Sequence, residues 1–216
     1  MVATRRTTHS VLLALAIFLG GAGLAAADHK PGPPPSSAVV AALRQGGMVL
    51  YLRHGETEKK PDADTVDFDN CATQRNLSDA GRRMAKTIGE GIERLGIPIA
   101  EVRTSPFCRA RDTGLIAFGQ ARIDLTLLSR GKPDEPEEQA RLPQLRLLLS
   151  SAPGRPGNEV LVGHSPPMDR LAQVHLDEGE MAVLRPLGNG RFEFLGRIRP
   201  EHWRKLRLPP RPATRL

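Results

Sequence analysis

The sequence predicts an α/β sandwich with a mostly parallel central sheet flanked by helices. Short apolar runs of strand type alternate with longer helix-compatible segments along most of the chain, which is the pattern of strand–helix–strand units. Serine–proline pairs and glycines punctuate those segments where helices should start and stop. The series closes on two β-type runs around Gly188-Asn189-Gly190.

The elements follow in order. Residues 38–44 suit a short helix, stopped by Gly46-Gly47 before a strand over 48–52. Residues 58–75 are polar, aspartate-rich and without periodicity, so they read as a long loop of the kind that often binds ligands. Ser78 is a good N-cap for a helix to about Leu95, with Gly96 as its stop. A strand over 97–102 comes next. Ser105 with Pro106 opens a helix ending at Gly119. A strand over 121–128, a helix over 135–149 and a short strand over 160–162 continue the alternation. Ser165-Pro166 repeats the cap-plus-proline start of a helix to about Leu176, and strands over 180–185 and 191–198 complete the fold. Trp203 is expected to pack. His202 belongs to the same C-terminal turn, and the last eight residues are expected to be a mobile tail.

The chain has 216 residues and a formal net charge of +7. Its first 27 residues have the three parts of a secretory signal: basic Arg5 and Arg6, an apolar stretch over 11–19, and the small residues Ala25-Ala26-Ala27. A membrane anchor is the alternative, but Gly20, Gly21 and Gly23 interrupt an apolar core shorter than the roughly 20 residues a spanning helix needs. Thr7-Thr8-His9 after the arginine pair lacks the apolar pair of a twin-arginine signal, which leaves the export route open. The expected organisation is therefore a signal peptide over 1–27, a proline-rich linker over 28–37, one domain over 38–208 and a tail over 209–216. This implies a periplasmic or secreted protein with no membrane span once the signal is cleaved.

Charge and composition exclude little but do rank the partners. The positive excess is spread along the chain, and there are only eight aromatic residues, so the stacking platforms of a nucleic-acid binder are missing. A small anionic substrate suits the charge. No sequence signal speaks to oligomeric state. Cys71 and Cys108 are candidates for a disulfide in an oxidising compartment, two buried thiols being the alternative.

Chemistry concentrates at three strand ends. An apolar run ending in Arg53-His54-Gly55-Glu56-Thr57 delivers an arginine and an imidazole to the edge of a sheet. Arg109 lies in the first turn of the helix after Ser105, and His164 directly precedes another helix start. Helix N-termini and guanidinium forks both favour phosphate oxygens, and an imidazole with one nitrogen held and one free is a competent nucleophile toward phosphorus. His29 and His175 look like a disordered start and a helix face. Arg75, Arg103 and Arg111 look like structural or surface residues.

The run 53–57, then Gln74-Arg75-Asn76-Leu77-Ser78-Asp79-Ala80-Gly81-Arg82, then Ser105-Pro106-Phe107-Cys108-Arg109-Ala110-Arg111-Asp112-Thr113, then Val162-Gly163-His164-Ser165, resemble in order four landmarks of the histidine phosphatase superfamily, also called phosphoglycerate mutase-like. The resemblance is to its smaller branch, since His164 is followed by Ser165 and not by the aspartate of the acid phosphatase branch. It implies a three-layer sandwich of that fold and a phosphohistidine formed on His54. Arg53, Arg109 and His164, with Thr57, complete the phosphate pocket, and no metal or organic cofactor is implied. The family's Leu-x-Glu proton donor is not matched: the corresponding residues are Leu127-Leu128-Ser129-Arg130. Glu135, Asp134 and Glu56 are the candidate replacements. Besides a phosphatase for small monoesters, the sequence leaves open an idle phosphate-binding module and a phosphatase for phosphorylated protein side chains.

Overall fold

A computed structural model describes residues 36–130 and 134–207. The expected signal peptide, the linker up to residue 35 and the tail over 209–216 lie outside the described residues.

Six strands form one sheet in the order β3-β2-β4-β1-β5-β6. They are β1 (Val49–Arg53), β2 (Ile99–Thr104), β3 (Arg122–Ile123), β4 (Asn158–Gly163), β5 (Met181–Pro186) and β6 (Phe192–Ile198). The first four pair in parallel, whereas β5 lies antiparallel to both β1 and β6. Among the described residues five α-helices accompany them: α1 (Ser37–Gln45), α2 (Asp79–Arg94), α3 (Cys108–Phe118), α4 (Pro136–Ser150) and α5 (Ser165–Ala172).

The central strands bury both faces, and the period of two along each strand decides which layer a side chain joins. Leu50, Leu52, Val160, Val162, Met181 and Val183 face one core with α1, α2 and Trp203. Val49, Tyr51, Leu161, Ala182 and Leu184 face the other with Leu145 and Leu149 of α4 and Met168 of α5. The layering follows from handedness. The chain steps outward from β1 to β2 through α2, and returns from β3 to β4 through α4. Right-handed crossovers in opposite directions must place their helices on opposite faces.

Local chemistry explains most of the boundaries. Ser78 accepts a hydrogen bond from the Gly81 N–H and caps α2, as expected. The helix stops where Gly96 turns left-handed at φ 61°. Two expected caps are different. α3 begins at Cys108 rather than beside Ser105, because the Ser105 hydroxyl is taken by His164 and the Cys108 N–H is met from outside by Gln74 Oε1 at 2.8 Å. Ser165 is the first residue of α5 and His164 its N-cap, and that helix ends at Ala172 rather than near Leu176. The expected strand over 121–128 shrinks to two residues, since the Asp124 carboxylate caps the N–H of Thr126 and bends the chain into a 3-10 turn over Leu125–Leu127. Cys71 and Cys108 are joined in a disulfide that ties the loop after β1 to the start of α3. Among the described residues, no helix is long and apolar enough to cross a membrane.

Candidate active site

Strand register brings the motifs together. Arg53 pairs with Gly163 and Thr104 with Val162, so the residues that follow β1, β2 and β4 emerge side by side at the carboxyl edge. The pairing extends one step: the His54 N–H donates to Gly163 O and the Ser105 N–H to Val162 O. His54, His164 and Ser105 thus meet in the crevice an open α/β sheet offers to ligands.

Tyr51 and glycine set the fit at this edge. The Tyr51 hydroxyl donates to His164 O at 2.9 Å and accepts from the His164 N–H at 3.2 Å. A Cβ on Gly163 would fall 2.3 Å from that hydroxyl, so only glycine fits. α2 likewise rides on the first motif, where a Cβ on Gly81 would lie 2.0 Å from Glu56 O.

His54 is 2 % exposed. Its Nδ1 lies 2.9 Å from Gly55 O; a carbonyl only accepts, so Nδ1 carries the proton and Nε2 the lone pair. Burial lowers its pKa to about 3; the Gly55 carbonyl opposes this, and Arg109, Arg53 and Arg75 add to it. His164 is pushed well below its ordinary value by burial and by the same arginines. The two rings meet edge to face with centroids 5.3 Å apart, and His164 Nε2 lies 2.9 Å from Ser105 Oγ.

A cavity of about 270 Å³ opens above them, lined by Arg53, His54, Asp62, Arg75, Arg109, Ser129, Arg130, His164, Ser165, Pro166, Asp169 and His175. Arg109 is 4 % exposed and stacks on Phe107 with its guanidinium carbon 3.9 Å from the ring centroid. Its Nη1 donates to Asp62 Oδ1 at 2.9 Å and to Arg75 O at 3.2 Å, whereas its buried Nε has no hydrogen-bond partner among the described residues. Burial lowers its pKa against the pull of Asp62. Arg53 donates to Leu176 O at 2.7 Å, which fixes its guanidinium at the cavity wall. Three forks around an uncharged imidazole can hold a dianion and expose it to a nitrogen lone pair.

The candidate residues therefore separate. Arg53, His54, Arg109 and His164 come together in one cavity. Thr57 does not line it: its hydroxyl donates to Glu178 Oε1 at 2.8 Å and accepts from Arg75, so it braces the far side of the site. Glu56 is turned away on Ser78 Oγ at 2.9 Å. Asp134 is paired with Arg170 at 2.5 Å with its side chain 88 % exposed, and Glu135 precedes α4 outside the cavity lining. The family's usual proton-donor position holds Ser129, whose hydroxyl bonds the buried Glu138 carboxylate at 3.0 and 3.1 Å.

Other groups carried no readable signal. Arg75 is not merely structural, since it shares the cavity. Glu178 Oε1 lies 3.9 Å from His54 Nδ1 and 4.0 Å from Arg53. Asp62 could be suspected only from its place in a long loop beside the motif. His175 lies beyond α5 rather than on a helix face, and it lines the cavity with Asp169. Among the described residues no cluster of histidine, cysteine and carboxylates could hold a metal ion.

Solved structures share the architecture. A protein histidine phosphatase, SixA, determined with tungstate, aligns at 17% identity with a TM-score of 0.55, covering 72% of this chain and 98% of its own. A phosphoserine phosphatase from Entamoeba histolytica aligns at 15% identity and a TM-score of 0.50, over 72% of this chain and 98% of its own. At such identities the likeness is one of fold. No curated protein matches the chain in sequence. The family model of the histidine phosphatase superfamily (branch 1) matches residues 49–130, the span that runs from β1 through both arginines to Arg130. Over that span the chain is similar to the histidine phosphatase superfamily (branch 1), and its architecture is the one these phosphatases share.

Proposed function

We propose that the protein is an exported phosphatase that hydrolyses phosphate monoesters through a phosphohistidine on His54. The observation that carries the reading is the presence in one cavity of an uncharged, buried His54, its lone pair on Nε2, and of Arg109, whose buried Nε has no hydrogen-bond partner among the described residues. A phosphoryl oxygen satisfies that Nε, and Arg53 and Arg75 stand ready for the other equatorial oxygens. His54 Nε2 attacks phosphorus, the ester oxygen leaves, and water then hydrolyses the intermediate to free phosphate. His164, held uncharged, contributes a neutral hydrogen bond to the transferring group.

Export is supported by the signal-like residues 1–27 and by the disulfide between Cys71 and Cys108, a bond that persists in oxidising compartments. The test is hydrolysis of an aryl phosphate by the mature chain. His54→Ala is expected to abolish turnover, and Arg109→Ala to lower kcat/KM by about 10²–10³-fold. Full activity in His54→Ala would reject the assignment.

A further inference from the structure

The cavity is lined by a third imidazole, His175, that neither nucleophilic attack nor phosphate clamping uses. α5 ends at Ala172, and Gln173 adopts a left-handed conformation at φ 55° that turns the chain back toward the site. The Ser165 hydroxyl accepts from the Leu176 N–H at 3.0 Å, which anchors the returning segment. His175 Nδ1 then lies 3.1 Å from Asp169 Oδ1 and 3.2 Å from Ser165 Oγ. A carboxylate only accepts, so Nδ1 carries a proton and Nε2 is the nitrogen that exchanges one.

Position separates this imidazole from the other two. His54 and His164 are 2 % and 5 % exposed at the cavity floor, whereas the His175 side chain is 47 % exposed and borders the same cavity. In-line displacement places the leaving oxygen opposite the attacking nitrogen, so attack from the floor sends it toward the mouth. No carboxylate stands at the family's donor position, where Ser129 is found. Granting the phosphatase reading above, we infer that His175, oriented by Asp169, is the proton donor to the leaving group.

Among the described residues, the charged groups near it include Asp169 from α5, Asp177 at 3.9 Å from Nε2 in the following loop, and Arg197 of β6, which donates to the His175 backbone carbonyl at 3.2 Å. As the bond from His54 Nε2 to phosphorus forms, the ester P–O bond breaks and its electrons stay on the leaving oxygen. That oxygen takes the proton from His175 Nε2. The now neutral His175 removes a proton from the water that attacks the phosphohistidine. The P–N bond returns its electrons to His54, orthophosphate departs, and His175 is again protonated. Asp169 is a positioning residue in this scheme.

A leaving-group series tests the assignment, because an alkoxide needs a proton and a nitrophenolate does not. kcat/KM, which reports the phosphorylation step, is measured for an alkyl phosphate and for p-nitrophenyl phosphate. His175→Gln and Asp169→Asn are expected to lower it about 10²-fold for the alkyl ester and no more than about threefold for the nitrophenyl ester. Inhibition by inorganic phosphate should be unchanged, which shows the pocket intact. Equal losses on both esters, or no loss on either, would overturn the role of His175 and leave the phosphatase reading standing. Failure of the unaltered protein to turn over either ester would remove both.

Discussion

His54 and His164 sit with ring centroids 5.3 Å apart, both nearly removed from water and both kept uncharged by burial with three guanidinium groups alongside. In an unfolded chain each would take up a proton near pH 6.5. Folded His54 does so only near 3, so below 6.5 the unfolded state binds more protons and stability falls with pH. Urea midpoints are therefore expected to drop between pH 7.5 and 5.5, with a smaller drop in a His54→Gln/His164→Gln variant. An unchanged slope would contradict the burial account. Tyr51 offers a second test at this scale. Its hydroxyl accepts from the His164 N–H, and Tyr51→Phe leaves that buried N–H without this partner, a loss of about 1–3 kcal/mol measurable by denaturant unfolding. That Arg53, His54, Arg109 and His164 would gather at the strand ends was legible in the sequence, since their place after apolar runs and at helix starts is a local signal. Asp62, Glu178 and His175 were not, because their partners are 47, 121 and 6 residues away and only the folded chain sets those distances.

At the scale of elements, α2 and the loop after β1 hold the first motif in place. Gly81 lets the first turn of α2 touch Glu56 O, so Gly81→Ala forces the helix off the motif at a cost of about 1–3 kcal/mol. Activity is expected to fall with stability, since the Gly55 N–H is itself held by Thr113 Oγ1 of α3 at 3.0 Å. The disulfide closes a span of 37 residues that includes Gln74 and Arg75. Reductant, or Cys71→Ser with Cys108→Ser, is expected to lower stability by about 2–4 kcal/mol in a thermal melt. Ser78 shows why one cap was readable: its acceptor role is satisfied within three residues. Ser105 and Ser165 have the same local signature but spend their hydroxyls on His164 and Leu176, so the helix starts moved.

Across the whole molecule, the order of the strands determines where chemistry can occur. Alternation of strands and helices was enough to foresee a parallel sheet with two covered faces. It could not show that β4 lies between β2 and β1, which is what sets His164 against His54. The basic charge finds its local expression in the guanidinium groups of Arg53, Arg75 and Arg109 around an imidazole held uncharged. The most direct test of that arrangement is to mix the protein with a phosphate-labelled aryl ester, quench it in alkaline denaturant within one turnover, and map the label. The account predicts a single acid-labile phosphate on the peptide carrying His54, absent in His54→Ala. Label on any other residue, or steady turnover by His54→Ala, would contradict it.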